Sequence, residues 1–207
     1  MKERPILFSG PMVRALLDGR KTQTRRIVTP QPVIQRGWVG GAYWERRPER
    51  GMQPADRWCI RDMVQFSPYG QAGDRLWVRE TFAHIYRGNA MPETRCDEDV
   101  VYAADGFRPD EYVYGSWKPS IHMPRWASRI TLEVTGVRVE RLNDISEDDA
   151  RAEGCAPAWL DVNGQDVNAY GKPTYRQGFA RLWRDINGAD SWDANPWVWV
   201  VEFKRVP

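Results

Sequence analysis

The segment Leu16 to Arg26, LLDGRKTQTRR, sets Arg20, Lys21, Arg25 and Arg26 and two hydroxyls, Thr22 and Thr24, behind a short apolar run with no acid after Asp18. Cations at this density suit an anion: Lys21, Arg25 and Arg26 form a candidate phosphate site, with Thr22 and Thr24 as ordinary hydrogen-bond donors. Glu80 falls on the apolar side of the alternating stretch DRLWVRETF. It reads either as an inward acid facing a ligand or as a buried carboxylate paired with Arg26 or a neighbour of Arg79. Trp38, Tyr43, Trp44 and Trp58 are interleaved with Arg36, Arg46, Arg47 and Arg57. That pattern either stacks bases between guanidinium–phosphate contacts or seals a loop onto the core. The run KPSIHMPRWASR reads as a rim loop from which Ser120, His122 and Arg125 reach a ligand.

At 207 residues the chain fits one domain spanning 1–207. Residues 1–61 hold 13 Lys and Arg against 5 Asp and Glu, whereas the remainder holds 17 against 23. This asymmetry points to a polyanionic partner or to a solvated basic face. Cys59, Cys96 and Cys155 are odd in number and far apart, which argues against a disulfide framework and for a reducing compartment. The opening MKERPILFSG is too polar for a signal peptide and no apolar run approaches a membrane span, so the expected location is cytoplasmic with no membrane partner. His84 and His122 are distant from each other and from the cysteines, so neither metal nor cofactor is expected.

The elements that must carry these residues follow from periodicity. PILF at 5–8 reads as a strand. Ser9, Gly10 and Pro11 then start a helix with Met12, Val13, Leu16 and Leu17 on one stripe, stopped at Gly19. DRLWVRETF puts Leu76, Val78, Glu80 and Phe82 on one face, and VVYAA at 100–104 is a further strand. Along RITLEVTGVRVERL the inward set Ile130, Leu132 and Val134 becomes Val137 and Val139 after Gly136, a phase flip that predicts a bulge or sharp bend. Ser146 and Asp149 have capping-box spacing for a short helix that ends with Glu153 before Gly154. Phe179, Leu182, Trp183 and Ile186 follow helical spacing, and PWVWVVEFKRV closes the chain as a strand with Trp197, Trp199, Val201 and Phe203 on one side. Few helices among alternating strands predict an α+β, mainly β fold: a small closed or half-closed barrel flanked by helices. Long insertions rich in Gly, Pro, Arg and aromatics fall at about 31–72, 84–99, 105–128 and 156–173.

GRKTQTRR resembles the signature of ASCH domains, a branch of the PUA-like β-barrels: Gly, any residue, Lys, four residues, Arg, here Gly19, Lys21 and Arg26. Gly73 and Asp74 opening a strand and the capped helix before Gly154 fit the same pattern. With GPMVRALLDGRKTQTRR, GDRLWVRE, KPSIHMPRWASRI and NPWVWVVEFKR, the chain is similar to phage and prophage ASCH-like proteins over most of its length. The resemblance implies a PUA-like barrel that serves either as an RNA-binding module or as an amidohydrolase deacetylating N4-acetylcytidine. In the latter the working residues would be Lys21, Thr24 and Glu153. Thr24 supplies the hydroxyl, Lys21 the base, and Glu153 an orienting acceptor or proton carrier, or else Glu153 activates water. The implied partner is a nucleoside or single-stranded nucleic acid, RNA ahead of DNA; the alternative is a non-catalytic reader of RNA or modified DNA. On a straight strand Lys21 and Thr24 would face opposite ways, so their convergence requires a turn after the helix. Lys21 is expected at a solvent-facing cleft, where its removal leaves stability nearly unchanged.

Overall fold

The computed structural model describes residues 1–34, 42–46, 56–84, 100–106, 116–159 and 172–206. In chain order the strands are β1 (Glu3–Leu7), β2 (Gln23–Ile27), β3 (Val33–Ile34), β4 (Ala42–Arg46), β5 (Asp56–Cys59), β6 (Arg75–Arg79), β7 (Phe82–His84), β8 (Val100–Tyr102), β9 (Thr131–Arg141) and β10 (Trp197–Val206). The α-helices are α1 (Gly10–Leu17), α2 (Glu147–Ala152) and α3 (Tyr175–Asn187). The fold is thus α+β with strands predominating among the described residues.

A five-stranded sheet in the order β1-β6-β9-β10-β2 forms the body; β3-β4-β5 and β7-β8 are smaller sheets. β1 runs parallel to β6, and the other pairs of the main sheet are antiparallel. The edge strands β1 and β2 share no described backbone ladder; the Arg26 guanidinium crosses between them to the Leu7 carbonyl. One face of the main sheet carries Leu76, Val78, Leu132, Val134, Trp199, Val201 and Phe203, packed with Val13 and Leu16 of α1. Val198 and Val200 point the other way, into a second cluster with Leu142, Ile145, Ala150, Phe179, Trp183 and Trp192. Thus β10 buries both faces, where the sequence pattern assigned an apolar side to only one.

The phase flip in β9 is a bulge. Glu202 pairs with Gly136 and Phe203 with Val134, so Thr135 is the extra residue. A Cβ on Gly136 would stand 2.8 Å from Glu202 Oε2, which accounts for the glycine. Two helical stripes are narrower than their periodicity. Leu17 is exposed at the last turn of α1, and Ile186 of α3 is 64 % exposed beyond the edge of the packed face.

Candidate active site at the edge of the main sheet

α1 ends in a Gly19 with φ +72°, and the backbone folds straight back: Arg20 and Lys21 both donate their N–H to the Ala15 carbonyl. Lys21 therefore lies before β2 rather than on it, and this turn lets Lys21 and Thr24 line one cavity despite a spacing that would separate them on a strand. Ser146 caps α2 by accepting from Asp149 N–H at 3.1 Å, and Glu153 is the residue at its C-terminal cap. Gly154 then takes φ +80°, with an ideal Cβ position 2.9 Å from both Ala15 Cβ and Lys21 Cβ. Only a residue without a side chain allows α2 to close this tightly on the α1–β2 turn, which the Thr22 N–H to Ala152 carbonyl bond ties at 2.9 Å.

That closure brings Lys21 Nζ to 2.9 Å from Glu153 Oε2. The same ammonium donates to the Glu153 carbonyl at 2.8 Å and the Gln23 carbonyl at 2.7 Å, so all three of its protons are engaged. The two side chains are 1 % and 3 % exposed. Lys21 is thus buried, contrary to the expectation of a solvent-facing cleft. The reason is the carboxylate and carbonyl cage, which replaces the lost hydration. Burial pulls the ammonium below the ordinary lysine value; Glu153 opposes this shift and the Arg26 charge adds to it.

Arg25 approaches from the opposite face of β2, the face shared with Val200. Its Nη1 lies 3.3 Å from Glu153 Oε1, and its Nη2 lies 3.1 Å from Glu140 Oε2 and 3.3 Å from Asp149 Oδ2. Arg138 continues the network to Glu140, Asp149 and Glu202. Arg25 is not the free phosphate contact its position in a basic run suggests, because three carboxylates claim its guanidinium.

The cavity has a volume of about 470 Å³. Lys21, Thr24, Arg25, Arg26 and Glu153 are among its polar lining residues, and Phe8, Tyr69, Phe179 and Trp183 among its aromatic ones. The Arg26 guanidinium lies over the Phe8 ring at 5.2 Å, and burial lowers its proton affinity. Burial also raises the Tyr69 phenol above its ordinary value, with Arg26 working against the rise. Ser120 reaches this lining from the loop before β9.

Other candidates lie elsewhere. Glu80 is buried and points inward, but outside the cavity lining, where Arg129 grips both its oxygens at 3.0 Å and also binds Asp105. Its partner is therefore neither Arg26 nor a neighbour of Arg79. Burial raises the Glu80 carboxyl, and Arg129 opposes that. Trp44 is 6 % exposed, packs on Phe66 and donates to the Pro30 carbonyl, so it belongs to the core and not to a ligand platform. Trp58 packs on Phe66 as well, and Arg57 covers the Tyr43 ring. Arg125 pairs with Glu3 at 3.0 Å and leans on Trp77, away from the cavity lining. Arg36, Trp38, Arg47 and Cys96 lie outside the described residues, as does the Arg46 side chain. Sequence reasoning missed Glu140 and Arg138, whose alternation with apolar neighbours in β9 reads as ordinary surface charge, and took Asp149 only as a capping residue of α2. No cluster of His, Cys, Asp and Glu among the described residues is arranged to hold a metal, and no helix among them is long and apolar enough to cross a membrane. Comparison with protein-family models, curated proteins and solved structures finds no match to this chain.

Proposed function

We propose that the chain is an ASCH-like amidohydrolase, its five-stranded sheet a PUA-like barrel with a seam between β1 and β2, that removes the acyl group from a modified base such as N4-acetylcytidine. The observation that carries this reading is the buried 2.9 Å contact between Lys21 Nζ and Glu153 Oε2 in the wall of a cavity that Thr24 also lines. Along that contact a proton moves from ammonium to carboxylate, leaving a neutral amine beside a neutral acid. Burial narrows the energy gap between the two states because it penalises the charged one more. The amine takes the Thr24 proton as the hydroxyl oxygen bonds to the acyl carbon. Arg26 holds the resulting oxyanion, and collapse expels the cytosine amine with the proton returned to it. Water then cleaves the threonyl ester, releasing acetate and restoring the hydroxyl. The aromatic walls suit a planar base, and the volume lies within the range of small-molecule sites.

The full engagement of the Lys21 ammonium favours a second reading, a non-catalytic reader of a modified base in which the pair serves only to shape the pocket. Incubation with N4-acetylcytidine separates the two. Hydrolysis predicts equimolar cytidine and acetate, with Thr24→Val and Lys21→Arg each lowering kcat by roughly a hundredfold or more, since guanidinium cannot serve as a base. Nucleoside bound without acetate release in the parent protein supports the reader and removes the hydrolase.

A further inference from the structure

We infer that Arg25, a residue outside the Gly-Lys-Arg signature, is a positioning residue that holds the Glu153 carboxylate in register with Lys21 and sets how readily Lys21 gives up its proton. The inference rests on the hydrolase reading for its kinetic consequence but not for its physical one.

Four observations carry it. The Arg25 side chain is fully buried, 0 % exposed. It takes Glu153 Oε1 while Lys21 takes Oε2, so the two carboxylate oxygens are divided between two cations on opposite sides. Its other end is clamped by Glu140 of β9 and Asp149 of α2, two separate elements, so the guanidinium cannot rotate without breaking contacts to both. Phe179 of α3 closes the remaining side, 6.0 Å from the guanidinium carbon. A carboxylate held by a single cation would pivot about its Cγ–Cδ bond; held from both sides, it presents Oε2 to Lys21 in one geometry.

Charge gives the second half of the effect. The groups around the Lys21–Glu153 pair are Arg25 and Arg26 from β2, Arg138 and Glu140 from β9, Asp149 from α2, and Cys155 and Tyr69 nearby. Removing the Arg25 charge leaves this buried cluster more negative, so Lys21 binds its proton more tightly. The Lys21 titration must therefore move to higher pH. The proton that Lys21 releases passes to Glu153 within the pair, so the Lys21 midpoint reports the charge that Arg25 supplies, and kcat reports the geometry in which it holds the carboxylate.

The experiment measures two things on the full chain: the titration of Lys21 by 13C NMR of lysine labelled at Cε, and kcat and KM against pH with N4-acetylcytidine. Arg25→Gln is expected to move the Lys21 midpoint upward. It should also lower kcat at neutral pH by about tenfold to a hundredfold, as small misplacements of a reacting group do, with KM little changed. Arg25→Lys should restore part of both effects because it keeps the charge without the fork. Glu140→Gln, which loosens the clamp from a quarter-exposed position, should lower kcat with a smaller change in the Lys21 midpoint. It also serves as the test if Arg25→Gln fails to fold. A folded Arg25→Gln with an unmoved Lys21 midpoint overturns the inference, as does a rise in KM at constant kcat, which would make Arg25 a ligand contact. In the fallback case an unchanged kcat in Glu140→Gln overturns it. Absence of turnover in the parent protein defeats the hydrolase reading alone, since the NMR titration still decides what Arg25 does.

Discussion

Lys21 is held as a charged group with its side chain 1 % exposed, and its stability consequences follow from that burial. Breaking a buried pair by removing one partner costs about 3–5 kcal/mol, because the survivor keeps its charge without compensation. Glu153 retains Arg25, so Lys21→Met should fall at the low end, about 3 kcal/mol in urea unfolding, while Lys21→Met combined with Glu153→Met should regain most of the loss. A single Lys21→Met within about 0.5 kcal/mol of the parent, the range of ordinary surface changes, would mean that the pair is not closed in solution. The pH dependence has a defined sign. The folded pKa of Lys21 is lowered, so above it the unfolded chain binds more protons and stability rises with pH up to the ordinary lysine value. That rise should be absent in Lys21→Met. At this scale the sequence is informative about identity but not about environment. The resemblance to the ASCH signature singles out Lys21, Thr24 and Arg26 and, through the short capped helix, Glu153. Nothing in local spacing says that Arg25 meets Glu140 and Asp149, because those partners come from distant elements that only the fold brings in.

Between α1 and β2 and at the end of α2, two glycines do different work. Gly19 has no heavy atom within 4 Å of an ideal Cβ, so it supplies only the backbone turn. Gly154 supplies the turn and also the space for Lys21. Gly154→Ala should thus cost more than a left-handed strain alone, about 2–3 kcal/mol, and should separate Glu153 from Lys21. Gly73→Ala is the matched control, since φ is +88° with open space around it, and it should cost only about 1 kcal/mol. Equal losses in thermal or urea unfolding would show that crowding at Gly154 is relieved by small shifts and that the close approach is not what seats the pair. Element existence was readable wherever the period was sustained: α1, β6, β9 with its flip at Gly136, α2, α3 and β10 all stand near their expected places. What periodicity could not supply was the second face of β10, because a strand buried on both sides shows no alternation. The exposed Ile186 has the same origin in reverse. It keeps the helical phase of Phe179 and Trp183 but extends past them to the cavity rim.

Across the whole molecule, several of the cations concentrated in residues 1–61 are drawn into contacts within the fold. Lys21 and Arg25 are buried against carboxylates, Arg14 and Arg26 donate to the carbonyls of Ala104 and Leu7, Arg20 pairs with Asp18, and Arg57 lies near Glu45. Arg14, Arg20, Lys21, Arg25 and Arg26 thereby help join the edge strands, α1 and α2 to the body of the fold. A protein that neutralises several phosphates shows log affinity falling against log salt with a slope near 0.7 per phosphate for a single strand. The described surface supports a shallow dependence, a slope of magnitude below about 2, for single-stranded RNA measured by anisotropy between low and moderate salt. On the proposed hydrolase reading, kcat/KM for the neutral nucleoside should change by less than about twofold over that range, since an uncharged base carries no phosphate to screen. A steep slope that collapses when Arg36, Arg46 and Arg47 are replaced together would reverse the assignment. It would place a polymer track on the Trp- and Arg-rich insertion and make the nucleoside pocket its end point rather than the whole of the binding site.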